Sequence, residues 1–157
     1  MCSLSATIRV GVPAVALSVR FVHLLAAITW IGGMLFIALV VVPVVRRLDD
    51  PGLRTRLVQE LGRRFRTVGW IALGLLLVTG LLSLWARPYL WATARFQWKL
   101  GLVVAALGLA AVHDFVLGPR AGRPGAAPSL RRRASWLARV NLLVVLAIVV
   151  LGLALRG

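Results

Sequence analysis

Two histidines supply the only imidazoles of this 157-residue chain, and both fall inside strongly apolar stretches. An ionisable group among residues suited to lipid is costly and is usually kept there for a task. His23, Trp30 and Met34 share one helical stripe: at about 100° per residue they lie within about 20° of a common line. Ala27 falls between His23 and Trp30, so the stripe dips one turn beyond the imidazole. A dip flanked by imidazole and indole suits a flat ring or a second helix. His23 is therefore a candidate metal ligand, haem axial ligand or proton carrier. Met34 is a candidate sulfur donor on the same face. The plainer alternative is an imidazole near the headgroup level, solvated or bonded to a carbonyl, and spacing alone leaves both open.

Lys99 and His113 form a second pair, 14 residues apart and within about 40° of one helix face. Ala106 and Ala110 lie between them, and Asp114 follows His113 directly. His113 with Asp114 suits a ligand or proton relay; the alternative is a surface Asp–Arg pair beside an interfacial histidine. Asn141, Thr79 and Ser83 are polar residues inside apolar runs, the usual material of interhelical hydrogen bonds. Copper(I) prefers thioether or thiolate, and the sulfur here is confined to Cys2, Met1 and Met34. No Met-x-x-Met, Cys-x-x-Cys, phosphate loop, nucleophile elbow or zinc-protease motif occurs, so a complete soft-metal cage is not visible. A single cysteine also excludes an intrachain disulfide.

These residues must be held by membrane-spanning helices. The chain is 61% hydrophobic with a mean hydropathy of +0.93, well beyond a soluble domain of this size. Four apolar runs stand out, at approximately 21–45, 67–86, 100–119 and 136–155. About 20 helical residues cross a hydrocarbon core of about 30 Å, and none of the runs shows the alternation of a transmembrane strand. The predicted fold is all-α, a polytopic four-helix transmembrane bundle forming a single domain over 1–157. Many glycines and alanines predict closely approaching helix backbones. Residues 1–20 read as a frayed or interfacial lead-in to the first span, with a cleaved signal peptide as the alternative.

The net charge is +15, yet the basic residues sit in short blocks between spans. That patterning excludes nucleic acid as the partner and points to a bilayer with anionic headgroups. Link one holds Arg46, Arg47, Arg54, Arg56, Arg63, Arg64 and Arg66, and its middle reads as a short amphipathic surface helix. Link three holds Arg120, Arg123, Arg131, Arg132, Arg133 and Arg139. Link two is aromatic, with Trp85, Tyr89, Trp91, Phe96 and Trp98, as at a membrane interface. Most of the 19 Lys and Arg thus lie in links one and three. The positive-inside rule puts those links in the cytoplasm and both termini in the periplasm. The first and third runs then start from the same side. His113 is reached about 21 Å along the third run from Lys99, so His23 and His113 fall near opposite faces and do not clamp one haem between them.

The segments HLLAAITWIGGMLFIALVVVP, RFRTVGWIALGLLLVTGLL and KLGLVVAALGLAAVHDFVLGPRA, over roughly residues 20–122, resemble the CopD family of bacterial inner-membrane proteins. The resemblance implies copper uptake or resistance, carried out by the chain or with a membrane or periplasmic copper-handling partner. The same segments are similar to HemJ-type haem-binding membrane proteins, which implies haem b, a link to protoporphyrinogen oxidation, and site roles for His23 and Lys99. A third expectation is a non-catalytic membrane subunit of a larger complex. Whether the chain is an enzyme stays open among these three.

Overall fold

The computed structural model describes residues 3–123 and 125–154, with side-chain surroundings from residue 14 onward; Met1 and Cys2 lie outside the described residues. Six α-helices account for four long rods. The first rod is α1 (Ser3–Phe36), a π segment (Ile37–Val41) and α2 (Val42–Arg46) in unbroken succession. The second is α3 (Pro51–Trp85). A 3₁₀ turn (Pro88–Ala92) leads to α4 (Ala94–Ala111), a π segment (Val112–Leu117) and α5 (Gly118–Ala121), the third rod. The fourth is α6 (Pro128–Ala154). All four are long and apolar enough to cross a membrane, and no strand occurs among the described residues.

Two expectations about the links change. The backbone before residue 21 is helical from Ser3 and continuous with the first span rather than a separate lead-in. From Ala14 to Ile31 neither proline nor glycine interrupts it. The amphipathic middle of link one is likewise no separate surface helix but the first turns of α3. Asp50 caps that helix, its carboxylate accepting from the Gly52 N–H at 2.7 Å, and Pro51 takes the first helical position, where its missing N–H costs nothing. After Pro51 the segment contains only isolated glycines, which weaken a helix without ending it. The Arg54 guanidinium donates back to the Leu48 carbonyl at 2.6 Å and closes the turn.

Each π segment ends two residues before a proline, Pro43 in α2 and Pro119 in α5. A proline inside a helix lacks a donor and crowds the carbonyl four residues back. One wider turn relieves that crowding without ending the rod.

The helices pair as α1 with α3 and α4 with α6, and α1 also meets α6. The core where they meet is built from Ala26, Trp30, Ala72, Leu73, Ala106, Ala110 and Val145. Small residues let the rods approach, but selectively. The Gly33 backbone lies against the Phe65 ring so closely that a β-carbon would collide, and Gly69 lies under Trp30. Gly32, Gly74, Gly101 and Gly108 face open space, so they are not crossing points. The outer surface is apolar, as at Leu81, Leu39 and Val104, the character a lipid-facing helix requires.

Candidate functional site

The rods define two ends. One carries the 3₁₀ turn and the exposed Trp85, Tyr89, Trp91 and Trp98, here the aromatic end. The other carries Arg46 through Arg66 and Arg120 through Arg139, the basic end.

At the aromatic end, half-buried His23 on α1 turns toward α3. Its Nδ1 lies 2.7 Å from the hydroxyl of buried Thr79. The Thr79 hydroxyl donates its one proton to the Leu75 carbonyl at 2.5 Å. With that proton committed, the Thr79 oxygen can accept from His23 Nδ1–H. A hydrogen bond of this kind orients an imidazole ring. The ring's Cε1 lies 3.7 Å from where a Gly80 β-carbon would stand, so the imidazole packs over Gly80 on α3. Ser83 donates to the Thr79 carbonyl at 2.8 Å and ties the next turn to it.

Lys99 occupies the same end of the bundle. It lies in the second turn of α4, half-buried, and its Nζ comes within 3.6 Å of the β-carbon position of Gly152 on α6. Arg95, one turn earlier, donates to the Ala154 carbonyl at 3.4 Å.

Trp30 and Met34 are placed elsewhere. Trp30 is 7% exposed and packs on Gly69 in the core, about 10.5 Å beyond the imidazole along α1. Met34 lies about 16.5 Å from His23 along the same helix, so the two do not share one ion. The Met34 sulfur instead accepts from Asn141 Nδ2 at 3.9 Å, joining α1 to α6, while Asn141 Oδ1 is buried without a partner. No three His, Cys, Asp or Glu side chains converge among the described residues.

His113 lies toward the basic end, inside the second π segment. Asp114 accepts from His113 Nδ1 at 2.9 Å and from the Trp70 indole N–H at 3.0 Å. Trp70 also meets Phe115, with ring centroids 5.3 Å apart, and Arg66 sits 6.0 Å over Phe115. The Asp–Arg surface pair considered from sequence is not formed. The wide π turn rotates Asp114 toward α3, where an indole takes the second oxygen. Trp70 precedes Thr79 by nine residues on α3, about 13.5 Å, so the two histidines occupy different levels.

Thr79 and Trp70 are the site residues that sequence reasoning did not assign to partners. Thr79 had a signal, a hydroxyl beside glycine in an otherwise apolar span, but nothing in one helix's periodicity says which neighbour it meets.

A family model described as Copper resistance protein D (CopD) matches residues 59–155, more than half of the chain. Thr79, Lys99 and His113 lie within the matched segment, and His23 lies before it. An uncharacterized protein of Aquifex aeolicus (strain VF5) is 34% identical over 142 residues, covering 87% of this chain and 92% of its own length. No solved structure matches the chain.

Proposed function

The chain belongs to the CopD (copper resistance protein D) family, and from that premise we propose that it handles copper ions at the aromatic end of its bundle, with His23 as the receiving ligand. The observation that carries this reading is the Leu75–Thr79–His23 hydrogen-bond chain, which holds the ring through Nδ1 so that Nε2 is the nitrogen to present to an ion. Copper is cargo here rather than a resident ion. One oriented imidazole without converging sulfur or carboxylate suits brief ligation and hand-over, not storage. The remaining ligands come from the donor or acceptor of the ion, a copper carrier on the same face. In this reading the basic end faces the cytoplasm of a bacterial inner membrane, and the aromatic end with both termini faces the periplasm.

A second reading is haem b with His23 as axial ligand, in the manner of HemJ. It is favoured by one observation: His23 and Lys99 occupy the same end, each beside a glycine of a neighbouring helix. His23 would hold the iron and Lys99 a propionate. Haem would supply one-electron chemistry.

Purification from membranes in detergent separates the readings. The copper reading expects a colourless protein that takes up copper in proportion to chain. A Soret band in the native protein, lost in His23→Ala, replaces it with the haem reading. Neither cofactor, with a co-purifying membrane subunit, contradicts both and favours a scaffold.

A further inference from the structure

We propose that the cleft between the ends of the first and fourth spans is a binding site for a phosphate group. Arg46 closes α2, and across from it Arg131, Arg132, Ser135, Trp136 and Arg139 line the facing side of α6. On α6 these residues follow one another at i, i+1, i+4, i+5 and i+8, the spacing of one broad helix face. Together they enclose an open cleft of about 320 Å³.

Four arginines line the cleft, and no carboxylate does. Three of the four carboxylates are committed elsewhere, Glu60 to Arg63 and Arg64, Asp114 to His113 and Trp70, Asp50 to the cap of α3, and the fourth, Asp49, does not line the cleft. Among the described residues no ion pair involves Arg46, Arg131, Arg132 or Arg139. The placement is unfavourable twice over. Like charges converge, and Arg131 and Arg132 stand close to the N-terminus of α6, which begins at Pro128 and already carries the positive end of the helix dipole. A phosphate relieves both, because its oxygens match the guanidinium fork and suit a helix N-terminus.

The site's level in the membrane agrees with that chemistry. Trp136 is 65% exposed beside the cleft, and tryptophan favours the headgroup layer. Basic recesses between transmembrane helices are where phosphate headgroups dock. The shared ligand chemistry is a phosphate group, from an anionic phospholipid or from solution.

The test uses the full chain and two double variants that remove the same charge. Arg132→Gln/Arg139→Gln empties the cleft, and Arg63→Gln/Arg64→Gln removes arginines already paired with Glu60. Each is reconstituted in phosphatidylcholine vesicles with or without phosphatidylglycerol and melted, and separately melted in neutral detergent with or without inorganic phosphate. Phosphatidylglycerol is expected to raise the midpoint of the wild type and of the Arg63/Arg64 variant but not of the Arg132/Arg139 variant, which assigns a lipid headgroup. The same selective protection by inorganic phosphate assigns the free anion. An equal response of the two variants, or no response of the wild type to either addition, overturns the proposal. If the Arg132/Arg139 variant fails to fold, Arg46→Gln/Arg131→Gln takes its place with the same expectations.

Discussion

The imidazole of His23 is informative because of what its other nitrogen does. A hydroxyl whose proton is already given to Leu75 can accept from Nδ1–H, which engages that nitrogen and leaves Nε2 as the one to meet an ion in the proposed reading. Thr79→Val keeps the side chain's shape and removes that acceptor. Outer-sphere losses of this kind cost 10- to 100-fold in metal affinity, to order of magnitude, and a copper(I) competition titration should show a drop in that range, with Thr79→Ser close to wild type. At the other end, Asp114→Leu strands the Trp70 indole and His113. These donors are half-buried, so the loss is that of ordinary hydrogen bonds, about 0.5–1.5 kcal/mol each, which thermal unfolding in detergent would register as a lower midpoint. His23 and His113 were legible in the sequence because an ionisable group stands out in an apolar run. Their partners Thr79 and Trp70 were not, because helical periodicity gives the face of one rod and not the rotation of its neighbour. The π segment added to this at Asp114, turning the carboxylate by a fraction of a turn that sequence spacing does not record.

The helices themselves were largely readable. Four apolar runs became four rods, and the aromatic link became the exposed turn between α3 and α4. Where one rod ends and a surface segment begins was not readable. Residues 51–66 are amphipathic, yet no breaker separates them from the following span, so local helix propensity extends α3 without interruption. Glycine counts were similarly ambiguous, since only some glycines sit at crossings. Gly33→Ala drives a methyl into the Phe65 ring, and overpacking of this sort costs about 1–3 kcal/mol. Gly32→Ala meets nothing and should change stability by less than about 0.5 kcal/mol. Thermal melts of the two single variants should therefore diverge, and Phe65→Ala combined with Gly33→Ala should recover part of the loss. Equal melts would mean that α1 and α3 do not meet at this glycine.

For the whole molecule, the two ends differ in chemistry. The basic end concentrates arginines, four of them lining one cleft, and the aromatic end holds His23, Lys99 and the exposed Trp85, Trp91 and Trp98. Charge asymmetry orients such a bundle with its basic end inward. A reporter fused to the C-terminus should accordingly be active in the periplasm, and a cytoplasmic signal would place His23 on the opposite side of the membrane from the proposed exchange. The family was readable from the order of spans and their His, Thr-Gly and Lys signatures. A choice between copper and haem was not, because one imidazole suits both. The most direct test of the account is copper(I) titration of purified wild type and His23→Ala against a chromophoric competitor. The account predicts competition by the wild type that disappears when the imidazole is removed. Identical titration curves for the two proteins would contradict it.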